Sequence, residues 1–217
     1  MILFENVSFR YRGEEGYVLE GMDLKVADGE FLALTGPSGI GKTTIIRLLL
    51  REIVPTAGRI MVDETEVSAL KDSEVPFYRR KLGVIFQDFR LIKDRTAYEN
   101  LNLSRNIYGW GVKESEARIR SVMKFLGIDH MHKRYPEEMS GGEQQKLCLA
   151  RAILNDPGIL LCDEPTRNLD PRSSSELMQL LELIRRQGKT VILVTHDIET
   201  MRSEIKEFRQ LKLARHE

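Results

Sequence analysis

Residues 36–44 read GPSGIGKTT: a glycine, four residues, then Gly41-Lys42-Thr43. This is the P-loop spacing, and it constrains the fold more than any other stretch, because such a loop leaves a strand and opens a helix. Glycines let the backbone take positive φ and bring its N–H groups close to an anion. Lys42 supplies a point charge for β- and γ-phosphates, and the Thr43 hydroxyl suits Mg²⁺, which otherwise takes waters and phosphate oxygens. Both flanks agree with this reading. Residues 31–35 (FLALT) form a short apolar run fit for a buried strand, and residues 45–50 are apolar on nearly every side, as a core helix is. Phosphates are therefore expected at a helix N-terminus, where orphan N–H groups and the macrodipole favour negative charge.

A chain of 217 residues is long enough for one substantial core, or for one core with an inserted lobe. Lys+Arg and Asp+Glu both number 33, so there is no global basic field to hold nucleic acid, and no nucleic-acid partner is expected. The longest apolar runs are about four residues, far below the roughly 20 of a membrane span. No charged segment followed by an apolar one opens the chain, and a cytosolic location is expected. Cys148 and Cys162 sit inside apolar segments without CxxC or CxxH spacing, which predicts small buried thiols and no metal site built on them.

Three β-rich runs occupy the first 35 residues, at 1–4, 7–11 and 31–35, and the closeness of the first two predicts antiparallel pairing between them. Tyr11 reads either as an ordinary strand residue or as a face for a base to stack on. Farther on, the pattern predicts a strand at 59–62, a short helix at 73–82 and a strand at 83–86, with Gln87 leaving its end. Ligands of α/β sheets bind at such ends. From 88 to 135 the strand signal stops. Thr96 with Glu99 fits a capping box, Ile119, Val122, Met123 and Leu126 mark one helix face, and Gly109-Trp110-Gly111 marks a turn between helices, with Trp110 in a packing role.

Ser140-Gly141-Gly142-Glu143 is also a capping box, preceding a helical stretch at 145–154. A cap does not need two glycines in its first turn, each about 1 kcal/mol worse than Ala. They imply a close approach to the backbone, and a phosphate is the natural visitor. Residues 159–164 (ILLCDE) look like a buried parallel strand ending in two carboxylates, Asp163 suited to share Mg²⁺ with Thr43 and Glu164 to polarise a water. Asp170-Pro171 opens a helix with Leu177, Leu180, Leu181 and Ile184 inward, and a strand at 190–195 leads to His196, a candidate γ-phosphate contact.

Over essentially its whole length the chain resembles the ATP-binding-cassette (ABC) ATPases. GPSGIGKTT stands as Walker A, Gln87 as the Q-loop, SGGEQQ as the signature, ILLCDE as Walker B with its glutamate, NLD as the D-loop and His196 as the switch histidine. The resemblance implies an α/β fold: a P-loop NTPase core with an N-terminal antiparallel β subdomain and an inserted helical subdomain. It implies one domain over 1–217, with 1–87 and 136–217 forming the β subdomain and core and 88–135 the helical part. ATP and Mg²⁺ are the implied cofactors. Tyr11 would stack on adenine; Gly36, Pro37, Ser38, Gly39, Gly41, Lys42, Thr43 and Thr44 would hold phosphates. Thr43, Gln87 and Asp163 would serve the metal, and Glu164, His196, Gln87 and Lys42 catalysis. Ser140, Gly141, Gly142 and Asp170 would act across a homodimer formed on ATP binding.

A narrower likeness lies in FQDFRL (86–91) and TAYEN (96–100), which resemble cell-division cassettes working with an integral membrane permease. ATPases of lipoprotein-release and macrolide-export transporters are the alternative. Either implies a peripheral protein on the cytoplasmic face of the inner membrane. Residues 87–91 and 96–101 are then expected to line the partner's docking cleft, with Phe89, Leu91 and Tyr98 as apolar anchors. Three positions depart from the pattern: Met139 for the usual Leu, Cys162 for a small apolar residue, and Arg167 for Gly beside the presumed dimer interface.

Overall fold

The computed structural model describes residues 1–214. Residues 1–4 and 7–11 do not pair with each other. Residues 2–4 and 7–9 belong to one strand, β1 (Ile2–Phe9), broken in register around Asn6, which takes φ 49°, and Arg10 and Tyr11 lie beyond its end. The antiparallel partner of β1 is β2 (Leu19–Val26), pairing Ile2 with Val26, Phe4 with Leu24 and Phe9 with Leu19. Polar residues and a glycine on the outer face of LEGMDLKV hide this strand from a search for apolar runs. After β3 (Phe31–Thr35) and α1 (Lys42–Leu49), β4 (Ala57–Val62) joins the other edge of β1, followed by the two-residue β5 (Thr65–Glu66). The first sheet thus runs β2-β1-β4-β5, antiparallel.

The second sheet is parallel and carries the P-loop. Its strands are β6 (Leu82–Ile85), β7 (Ile159–Asp163), β8 (Thr190–Val194), β3 and β9 (Arg209–Lys212), in that spatial order. The helix expected at 73–82 is shorter, α2 (Val75–Arg79), because Leu82 already belongs to β6 and pairs with Ile159. The remaining helices are α3 (Ala97–Tyr108), α4 (Val112–Phe125), α5 (Gly141–Ile153), α6 (Pro171–Arg186) and α7 (Ile198–Glu204). α3 and α4 lie in the strand-free stretch 88–135, meet at Gly109-Trp110-Gly111 and pack on α5. Trp110 stacks on Tyr108 with ring centroids 4.8 Å apart.

Alternation along buried strands splits the interior in two. Phe31, Ala33, Leu160, Cys162, Val191 and Leu193 face a core shared with α3, α4, α5 and α6. Leu32, Leu34, Leu161, Ile192 and Val194 face the other core, shared with α1 and the first sheet. Each of the Leu, Ile, Val and Phe side chains among these contributes about 1.5–3 kcal/mol on burial. Helix starts are set by side chains. Thr96 with Glu99 and Ser140 with Glu143 form complete capping boxes, worth about 1 kcal/mol each. The Ser140 box starts α5 at Gly141, four residues before the apolar pattern at 145–154 begins. No helix among the described residues is long and apolar enough to cross a membrane.

Candidate functional site

The carboxyl ends of β3, β6, β7 and β8 open onto one edge of the parallel sheet, the place where ligands of such folds bind. β3 hands over to residues 36–41, where Gly36, Gly39 and Gly41 all take positive φ. At Gly36 the reason is also spatial. The chain after β9 passes so near that a Cβ there would lie 2.6 Å from the Leu213 carbonyl oxygen. Gly41 is the N-cap of α1 and offers no side-chain cap, so the first-turn N–H groups have no side-chain acceptor. Lys42 is buried, and its Nζ donates to the carbonyls of Gly36 and Pro37 at 2.8 Å each. An ammonium has three donors, and the third is left for an incoming anion.

The next residue reaches sideways. Thr43 Oγ1 donates to Asp163 Oδ1 at 3.1 Å, joining the P-loop helix to the end of β7. Asp163 is buried, which pushes its carboxyl above the usual carboxylate range, while the Thr43 hydrogen bond and the Lys42 charge pull the other way. A buried, partly compensated carboxylate beside a hydroxyl fits a divalent cation. Among the described residues no group of three His, Cys, Asp or Glu side chains could hold a metal unaided. Two oxygens are an incomplete shell of the sort Mg²⁺ accepts when phosphate and water complete it.

Glu164 follows in the left-handed region, φ 49°, a conformation that costs a non-glycine residue about 1 kcal/mol or more. Its N–H donates to the Val194 carbonyl at 2.9 Å, locking the turn to β8. The carboxylate meets His196, with Nε2 2.9 Å from Oε1. Burial raises the Glu164 carboxyl above its ordinary value, opposed by His196 and Lys42. A carboxylate with raised basicity, aimed by an imidazole, can accept a proton from water. Glu164, His196 and Gln87 line one cleft of about 320 Å³ with Ser38, Lys42 and Thr43.

Tyr11 stands at the mouth of the same cleft. Its ring meets Phe9 edge-on, centroids 4.9 Å apart, and its hydroxyl lies 3.1 Å from Thr44 Oγ1. Arg47 donates to that hydroxyl at 3.1 Å and sits 5.6 Å from the ring centroid. Sequence reasoning passed over Arg47, one turn along α1 from Thr43, because only its contact with Tyr11 sets it apart. It also passed over Glu14 and Val18 as cleft residues, and it took Arg167 only as an interface residue.

Ser140, Gly141, Gly142 and Asp170 stand outside this cleft. Asp170 caps α6, accepting from Ser173 N at 3.0 Å and Ser173 Oγ at 2.6 Å. Gly142 has a neighbour within the chain: a Cβ there would be 2.5 Å from Ser173 Oγ. At Gly142 a close approach is thus made by α6, whereas Gly141 meets the Leu169 side chain and the Asn168 carbonyl at ordinary contact distance. Phe89, Leu91 and Tyr98 are half-buried against the helical core. Phe89 O accepts from Arg151 at 2.8 Å and Cys148 Sγ at 3.1 Å, which anchors the loop after Gln87 to α5. Cys148 and Cys162 are buried free thiols; burial pushes Cys148 up to about 12 and Cys162 upward too.

Comparison with known proteins adds an independent line. A family model described as ABC transporter matches residues 19–167. The chain is 39% identical over 220 residues to the cell division ATP-binding protein FtsE of Mycobacterium tuberculosis, covering 100% of this chain and 96% of that one. Against FtsE of Escherichia coli the identity is 41% over 198 residues, covering 91% and 89%. A solved dimeric bacterial ABC transporter cassette superposes with TM-score 0.86 at 36% identity, covering 98% of this chain and 94% of that one. A dimeric post-hydrolysis state of that cassette, bound to ADP and Pi, gives TM-score 0.86 at 34% identity over 100% and 98%.

Proposed function

The chain belongs to the ABC transporter family of ATPases, and from that premise we propose that it hydrolyses Mg²⁺-bound ATP to drive or gate a membrane protein in cell division. It is an ATP hydrolase of the ABC type. The observation that carries the catalytic reading is the 2.9 Å approach of His196 to Glu164, in a cleft shared with Lys42 and with Thr43, which donates to Asp163. Phosphates bind at the α1 N-terminus, where the third donor of Lys42, beyond the two held by carbonyls, is left for a phosphate oxygen. Thr43 and Asp163, with Gln87, would hold Mg²⁺, which would supply charge neutralisation to the bound phosphates. Glu164 takes the proton of the attacking water, His196 fixes that carboxylate, and Tyr11 offers its ring to the base.

Ser140, Gly141, Gly142 and Asp170 lie away from this chain's own cleft. We assign them to a second copy, in a two-fold homodimer formed on ATP binding. An isologous interface permits this, since each chain carries both halves. The dimeric state of the related cassettes supports the assignment. The likeness to FtsE supports an FtsX-like permease as the partner, with the protein peripheral on the cytoplasmic face of the inner membrane. Residues 88–135 form the helical part that carries the docking cleft, inserted between the segments 1–87 and 136–217 of the single domain.

Two substitutions test this. Glu164→Gln keeps shape and removes the base, so ATP binding survives, turnover falls by roughly 10² or more, and light scattering detects an ATP-dependent dimer. Lys42→Ala removes a ground-state phosphate contact and weakens ATP binding itself. Wild-type turnover in Glu164→Gln overturns the catalytic assignment, and a monomer at every concentration overturns the dimer.

A further inference from the structure

We infer that Arg167 is a phosphate-binding residue of the nucleotide cleft, paired with the terminal phosphate of a bound nucleoside triphosphate. The inference rests on the ATP-hydrolase reading and adds a residue to it. Arg167 sits three positions after Glu164 on a loop held by two successive turns: Arg167 N donates to Glu164 O and Leu169 N to Thr166 O, each at 3.1 Å. Thr166 is buried between them. The Arg167 backbone is therefore fixed relative to the Glu164 carboxylate, while its long side chain is exposed and lines the cleft that holds Lys42, Thr43, Gln87 and His196.

Lys42 in this cleft and the two arginines of the adjoining cavity, Arg47 and Arg90, have partners. Lys42 lies against two carbonyls, Arg47 pairs with Glu52, and Arg90 pairs with Asp88. The Arg167 guanidinium makes no side-chain hydrogen bond or ion pair among the described residues. Glu164 is engaged by His196. Glu14, the other carboxylate lining the cleft, belongs to the turn beside Tyr11 and makes no ion pair with Arg167. A guanidinium stays charged at any physiological pH, and its planar fork matches phosphate oxygens. An unpaired fork on a rigid loop beside an anion-binding helix N-terminus is complementary to a ligand with one more negative group than Lys42 and the backbone satisfy. Its place beside Glu164, with Tyr11 marking the base, assigns it to the terminal phosphate.

Equilibrium binding of a non-hydrolysable ATP analogue and of ADP, both with Mg²⁺, tests this on the full chain. Arg167→Gln is expected to weaken the triphosphate by about tenfold, one charge-assisted contact, and to leave ADP within about twofold. Arg167→Lys keeps the charge and recovers part of the loss. Unchanged affinities for both ligands, an equal loss for both, or an effect on dimer formation alone overturns the inference. Lys42→Ala measured in parallel separates the two levels. If it too leaves triphosphate binding intact, the nucleotide reading fails; if it weakens binding while Arg167→Gln does not, only the inference about Arg167 fails.

Discussion

Gly142 in the first turn of α5 and Ser173 in the first turn of α6 are so close that a methyl group on the glycine would stand 2.5 Å from the serine Oγ and 2.9 Å from its Cβ. The hydroxyl can rotate away, but the Cβ cannot. Gly142→Ala therefore forces the two helices apart, at about 1–3 kcal/mol, against a gain of about 1 kcal/mol in helix propensity. A net loss of roughly 1 kcal/mol lowers Tm by about 2–4 °C for a chain of this size. Ser173→Gly in the same chain removes the obstruction, and thermal melts of the double variant should return most of the loss. A double variant no more stable than Gly142→Ala alone would show that the strain lies elsewhere.

The Glu164 carboxyl carries a pH signature. Burial raises it in the fold above its unfolded value, so the fold favours the neutral form. That contribution is fully present below the unfolded pKa and is lost as pH rises through the raised one. Glu164→Gln should thus melt at or above the wild-type temperature at pH 8 without nucleotide or metal, the gap closing toward pH 4. His196 lowers this carboxyl, so His196→Gln moves the acid limb of kcat/KM to higher pH. An unmoved limb would detach His196 from the base.

Phe89 and Tyr98 test where a membrane partner docks. Both are half-buried against the helical core, and the Phe89 carbonyl is tied to α5 by Arg151 and Cys148. A partner seated there would move with that helix, which would link partner conformation to nucleotide state. Phe89→Ala with Tyr98→Ala is expected to abolish co-purification with an FtsX-like permease from detergent-solubilised membranes while leaving ATP binding nearly intact. Wild-type recovery moves the docking site elsewhere, and collapse of ATP binding makes the pair part of the core.

Much of the site was legible in the chain because its chemistry is written contiguously. A phosphate cradle is a run of neighbouring backbone N–H groups, so residues 36–44 announce it; a helix cap spans three residues, so Thr96 with Glu99 and Ser140 with Glu143 are readable. Buried parallel strands are apolar on both faces, and 31–35, 159–163 and 190–194 could be seen from composition alone. Strand β2 could not, because its outer face is polar and its identity depends on pairing with β1.

Relations between distant segments were settled by tertiary structure. Residues 43 and 163 share one hydrogen bond, Arg47 reaches back 36 residues to Tyr11, and Ser173 of a distant helix fills the space a Cβ on Gly142 would need. Arg167 stands out in the sequence only as a departure beside the presumed interface, and the folded chain shows it lining the cleft. Propensity and spacing act within a few residues, whereas the partner of a charge is chosen by packing, and packing is a property of the whole chain.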